Sequence, residues 1–156
     1  MVISMMYLAI AVNDPNHAIS SAIVNICTKA KAYHVEPVFS DGSAFCCSPK
    51  CMGMITRHYD SYHWVKIPCP FITIQQEKEI RKFCDDLDSK KPKYDWLGAI
   101  SGFFGSKKEN RRRWYCGELC VKIFTGIIPD IEKIKWATPD KVWKHVAYYY
   151  DKYTGN

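Results

Sequence analysis

From Cys116 onward the chain sets apolar residues at Cys116, Leu119, Cys120, Ile123, Phe124 and Ile127. Gaps of three and four place them in one stripe along an α-helix, and a strand cannot hold them on one face because its side chains alternate. The segment therefore predicts a helix that buries one side. Gly126 stands near its end, where a left-handed residue commonly stops a helix. Cys116 then opens the helix and points along the inward face. Two readings of that thiol follow. The start of a helix offers unpaired N–H groups and the positive end of the dipole, which favour the nucleophilic thiolate. Free cysteine is also a common small core residue, and local pattern alone favours this second reading.

A partner for the thiol must come from elsewhere in the chain, and the fold class limits where. The 156 residues, 47% hydrophobic and 14% aromatic, suit one globular domain and exclude a disordered chain. No apolar run approaches the roughly 18 residues of a membrane span. The apolar N-terminus has no Lys or Arg before Lys29, so it does not read as a signal peptide. The eight cysteines are accordingly expected as reduced thiols in a cytoplasmic setting. A net charge of +6 permits an anionic partner without demanding one.

Residues 5–12 (MMYLAIAV) read as a buried strand, and Asp14-Pro15 as the cap of a helix reaching about Lys31. Residues 33–39 (YHVEPVF) form a second strand, with His34, Glu36 and Val38 on one face. Asp41-Gly42 marks a hairpin turn, and residues 44–48 return. A two-residue loop sets Val38 against Phe45 and Glu36 against Cys47; a bulge shifts Glu36 to Cys46 or Ser48. Residues 49–60 read as irregular, and residues 62–67 (YHWVKI) as another strand. Thr73 with Gln76 is a capping-box signature before a helix carrying Ile80, Phe83, Cys84 and Leu87. Asp95 caps a segment with Trp96, Ile100, Phe103 and Phe104, and residues 105–113 form a polar loop ending in Arg111, Arg112 and Arg113. Thr138-Pro139 starts the last helix, followed by an aromatic tail without a clear period. This order predicts an α+β fold, an antiparallel sheet packed against helices, in a single domain over residues 1–156.

Three groups of residues carry chemistry. His34 and Glu36 share a strand face, and a nucleophilic thiol needs such a base and an acid to orient it. The same pair also fits the polar face of a half-exposed strand. Cys46, Cys47, Cys51, His58 and His63 have spacings found in zinc sites, but strand parity separates Cys46 from Cys47, so no metal site is expected there. Lys107, Lys108 and the three arginines could hold phosphates, but such charge runs are more often solvated loops. The aromatic residues fall at core spacing, so a nucleic-acid stacking surface is not indicated.

The motifs His34-Val35-Glu36, Asp41-Gly42, Tyr94-Asp95-Trp96-Leu97-Gly98, Trp114-Tyr115-Cys116-Gly117-Glu118-Leu119-Cys120 and Thr138-Pro139-Asp140 together resemble the circularly permuted papain-like cysteine hydrolases related to NlpC-type cell-wall peptidases. Within these, the chain looks most like small members from tailed phages and bacteria, over about residues 33–146. The resemblance implies a permuted papain-like fold in the cytoplasm of a bacterial or phage-infected cell, with Cys116 as nucleophile and His34 as base. It implies Glu36, or else Ser48 or a neighbour, as the orienting group. Tyr94 matches a residue that lines such sites, and Tyr115 and Arg113 are further expected substrate contacts. The implied reaction is hydrolysis of an amide, peptide or (thio)ester bond in a peptide-like or acyl substrate, with no metal or organic cofactor. The chain departs from many relatives in carrying Gly117 where they have serine, which favours a catalytically inactive binding protein as the alternative. A basic nucleic-acid-binding module using the arginine loop is a third expectation. Pro37 is a smaller departure.

Overall fold

In the computed structural model, which describes residues 2–12, 31–60, 63–95 and 113–155, the short apolar runs become strands of one antiparallel sheet. β1 (Tyr7–Val12), β2 (Ala32–Val38), β3 (Ser43–Ser48), β4 (Cys51–Thr56) and β5 (Trp64–Pro68) lie in the order β4-β3-β2-β1-β5. β1 runs between β2 and β5, and its inner residues are buried on both faces, which is why it reads as an unbroken apolar run.

The two faces carry different cores. Leu8, Ile10, Val35, Phe45, Cys47 and Ile67 pack against α1 (Ile74–Ser89), α2 (Cys116–Phe124) and α3 (Pro139–Thr154). Ala9, Val38 and Ala44 face the other way, under Tyr7, Ile55, Tyr59 and Trp64. A short parallel pair, β6 (Lys93–Tyr94) with β7 (Arg113–Trp114), leads directly into α2. This is the expected α+β layout. The predicted helix short of its last residue, Lys31, the segment holding Trp96, Ile100, Phe103 and Phe104, and the loop over residues 105–112 lie outside the described residues.

Three local expectations are overturned. Residues 49–60, read as irregular, contain β4, which pairs with β3 from Ser43↔Thr56 to Ser48↔Cys51. Its alternation is masked in sequence by Gly53, whose φ of +131° and close approach to Asp88 leave no room for a side chain. A Cβ there would sit 2.5 Å from the Asp88 carboxylate. The hairpin between β2 and β3 has a longer loop than two residues: Val38 pairs with Ala44, and the Phe39 N–H donates to Ser43 O. Glu36 thereby shares its face with Cys46, not Cys47. Finally, the aromatic tail is helical to Thr154, with Gly155 in the left-handed conformation closing the helix. Tyr149 and Tyr153 meet Phe71 edge-on at 4.9 and 5.8 Å, so tertiary packing supplies what periodicity lacked.

The capping box forms as read. The Gln76 N–H donates to Thr73 Oγ1 at 3.1 Å, and the Thr73 N–H to Gln76 Oε1 at 2.9 Å. Thr73→Ala removes one of these bonds and is expected to cost about 1 kcal/mol, lowering the melting temperature by about 3 °C in a calorimetric scan.

Candidate active site

His34 and Glu36 sit on the β2 face away from the helices, opposite Ala11 and Ala9 of β1. Two alanines there leave space for an imidazole and a carboxylate to lie flat over the sheet. Glu36 is 0% exposed, and a carboxylate so placed needs several partners. His34 Nε2 lies 3.0 Å from its Oε2. The Tyr59 hydroxyl donates to Oε1, and Arg57 Nε stands 3.0 Å from the same oxygen as an ion pair rather than an aligned hydrogen bond. Burial pushes the Glu36 pKa up, but the His34 and Tyr59 hydrogen bonds and the Arg57 charge outweigh it and hold the group below 4.5.

The imidazole has partners on both sides. Burial disfavours its charged form, yet Cys116 as charge and hydrogen-bond partner, then Cys46 and Glu36, raise its pKa well above 6.5. With Nε2 engaged by Glu36, Nδ1 remains for a thiol. Trp64 meets the ring edge-on at 6.3 Å and limits its rotation.

Cys116 is the first residue of α2, and Tyr115 at the cap position gives no side-chain hydrogen bond to the helix start. The sequence reading required the His34/Glu36 face to look towards this helix. The structure differs: Cys116, Leu119 and Cys120 join the core on the Val35 and Cys47 side of the sheet. Cys116 is nonetheless near enough to act on His34 as a charge and hydrogen-bond neighbour, and β2 and β3 are in register only at Val38↔Ala44. Past that pair, towards His34, no further rung closes the ladder, and α2 packs against both strands. Neither thiol nor imidazole is freely accessible, with Cys116 4% exposed and the His34 side chain 12%.

The other expected residues fall as follows. Tyr94 is half-buried near the thiol; burial first, then the nearby Cys116 and Cys47, raise its pKa. Tyr115 is hydrogen-bonded to the Ala137 backbone, and burial followed by Glu118 raises its pKa. Arg113 lies in β7, paired with Lys93, and its side chain is outside the described residues. Ser48, the alternative orienting group, bonds the Cys51 backbone and accepts from Cys46 Sγ at 3.5 Å. The cluster Cys46, Cys47, Cys51, His58 and His63 is not brought together. Cys47 belongs to the helix-side core, Cys46 faces the opposite way, and the His58 side chain is 80% exposed.

Three neighbours were not singled out for this site in the sequence: Cys46, Arg57 and Tyr59. Burial opposes a Cys46 thiolate, but hydrogen bonds with His34 and Ser48 lower its pKa below the usual thiol value. Strand parity signals Cys46 once the hairpin loop is lengthened. Arg57 and Tyr59 sit beyond the end of β4, and no sequence pattern directs them to Glu36.

Gly117 has a structural cause. A Cβ at this position would lie 1.6 Å from the Ala137 carbonyl oxygen, so α2 approaches the chain before α3 too closely for any side chain. No protein-family profile, curated protein or solved structure matches the chain.

Gly117→Ser is expected to destabilise the fold by about 3 kcal/mol in urea titration, since backbone must move to admit the side chain. The His34–Glu36 pair predicts a pH signature in chelator-treated protein. Glu36 is held below 4.5, so its contribution is full above that pH and is lost as pH falls through the folded value. His34 is held above 6.5, so its contribution is full below pH 6.5 and is lost as pH rises through its folded value. The pair therefore stabilises most between pH 4.5 and 6.5. There Glu36→Gln is expected to cost about 2 kcal/mol and to remove the acid limb. Parallel stability–pH curves for variant and wild type would refute this.

Proposed function

We propose that the protein is a cysteine hydrolase of permuted papain-like type that cleaves an amide, peptide or (thio)ester bond through an acyl-enzyme. The observation that carries this reading is Cys116, at the start of a helix, standing as charge and hydrogen-bond neighbour to an imidazole that a buried carboxylate also engages. Nucleophile, base and orienting acid thus stand in series, the arrangement that thiol acyl transfer requires.

In this mechanism Cys116 Sγ attacks the substrate carbonyl carbon while its proton passes to His34. The carbonyl oxygen gains the electron pair and is stabilised by N–H groups of the first turn of α2. Collapse expels the amine, alcohol or thiol, which takes the proton from His34, and leaves a Cys116 thioester. His34 then removes a proton from water, and the hydroxide attacks the thioester. The acid is released and the proton returns to Cys116. Glu36 favours the imidazolium in both halves, and Tyr59 and Arg57 keep Glu36 in place.

Treatment with iodoacetamide near pH 6.5, followed by intact-mass analysis and peptide mapping, tests the assignment. Cys116 is expected to alkylate first among the cysteines, and His34→Ala to slow the reaction at least about tenfold. Because Cys116 is 4% exposed, bulkier electrophiles are expected to react more slowly than small ones. Cys46 labelled first with Cys116 inert would move the nucleophile to the other thiol on the ring.

A further inference from the structure

His34, Glu36 and Cys46 make a donor set that the hydrolytic reading uses only in part, since Cys46 has no role in it. One ligand atom from each lies within 4.8 Å of the other two. Two donors come from β2 and one from β3, so all three are carried by strands rather than by a loop. We propose that these three residues bind a borderline-soft divalent transition metal of the zinc type.

The chemistry of the donors selects the ion. A thiolate, an imidazole nitrogen and a carboxylate oxygen suit Zn²⁺ or Co²⁺, whereas Mg²⁺ and Ca²⁺ take oxygen ligands. Tetrahedral zinc with ordinary bond lengths holds its ligand atoms roughly 3.3 to 3.6 Å apart. The present 3.0 Å between His34 Nε2 and Glu36 Oε2 opens by only a few tenths of an ångström to admit the ion, and Cys46 closes in by about an ångström at most. On binding, the Cys46 thiol proton leaves to solvent. A thiolate and a carboxylate then balance the dication.

The surroundings fit a metal site as well. Tyr59 and Arg57 both hold Glu36 Oε1, which leaves Oε2 as the metal-facing oxygen. Trp64 stacks edge-on to His34 and restrains the ring. Such outer partners orient ligands at metal centres. With three protein ligands the fourth position is left to water or a substrate group. Of Cys46, Cys47, Cys51, His58 and His63, whose spacing was not expected to make a metal site, one residue, Cys46, thus enters a different donor set. A metal here also takes His34 away from proton transfer, a consequence that rests on the hydrolase reading.

Chelator-treated wild-type protein is titrated with Zn²⁺ by calorimetry and with Co²⁺ by absorption spectroscopy. One ion per chain is expected, with a thiolate-to-cobalt charge-transfer band and no competition from excess Mg²⁺. Cys46→Ser is expected to lose the band and bind at least about tenfold more weakly, while Cys116→Ser keeps both. Should Cys46→Ser fail to fold by circular dichroism, X-ray absorption of the zinc-loaded wild type gives the answer without a variant. One sulfur neighbour near 2.3 Å with nitrogen or oxygen neighbours near 2.0 Å is expected. No stoichiometric binding, no sulfur neighbour, or binding lost in Cys116→Ser but kept in Cys46→Ser would overturn the site. Cys116→Ser retaining metal while losing alkylation keeps this proposal separable from the hydrolase reading.

Discussion

A carboxylate with no exposed surface, in a strand of a five-stranded sheet, is the constraint on which this structure turns. Removing such a charge from water costs several kcal/mol, and only close partners offset it. Glu36 has three, from three stretches of chain: His34 on its own strand, Arg57 just past β4, and Tyr59 beyond that. Once Glu36 is committed to the face away from the helices, the segment after β4 must fold back over the sheet to reach it. Tyr59 then packs between Tyr7 and Trp64, at 5.9 and 5.1 Å between ring centres, and closes a second small core. Arg57 lies over Trp64 at 5.6 Å and seals the edge. The second core is thus organised by a charge, with the apolar residues gathered around the groups that satisfy it.

The same charge sets the state of His34. An imidazole buried alone would be neutral. Beside Glu36 and two thiols it favours the imidazolium, the form a thiol nucleophile leaves behind when it gives up its proton. Buried polar groups in series are stable only when each is satisfied, and the chain satisfies this one from both sides of the sheet. Glu77 offers a contrast within the same molecule. It too is buried, but its partners are Ser4 and Ser40, hydroxyls and a backbone N–H that donate without titrating. That carboxylate ties the N-terminal segment and the β2–β3 turn to α1. A carboxylate among hydroxyls anchors; a carboxylate against histidine and thiols has chemistry available to it.

Much of the framework was legible in the sequence because short-range rules govern it. The Thr73/Gln76 box, the Thr138-Pro139 start and the Cys116 stripe depend on spacings of three and four, and each formed where read. The pairing of His34 with Glu36 followed from the period of two in a strand. What failed depended on distance in the chain. β4 was missed because glycine, cysteine and methionine give weak alternation, and Gly53 is there to admit Asp88 from α1. The hairpin register missed by one, which exchanged Cys47 for Cys46 beside Glu36. A slip of one residue reverses every side chain across the sheet, so the choice between a two-residue loop and a bulge decided whether Cys47 or Cys46 stood beside Glu36. The roles of Arg57 and Tyr59 had no local signal at all, since what places them is the demand of a charge 21 and 23 positions earlier.

The break in the β2–β3 ladder explains how residues on opposite faces share one site. A continuous ladder would separate them by the thickness of the sheet, with Cys116 on the helix side and His34 on the other. With one registered pair, at Val38↔Ala44, the strands are free to part towards His34 and Ser48. α2 fills the space from its side because Gly117 lets the helix start press against the backbone at Ala137. The close approach of α2 at Gly117 and the single β2–β3 pair thus act together: one brings the helix start onto the strands, and the other leaves the strands unlaced beside it, while the buried Glu36 network on one face and the α2 core on the other hold the strands in place.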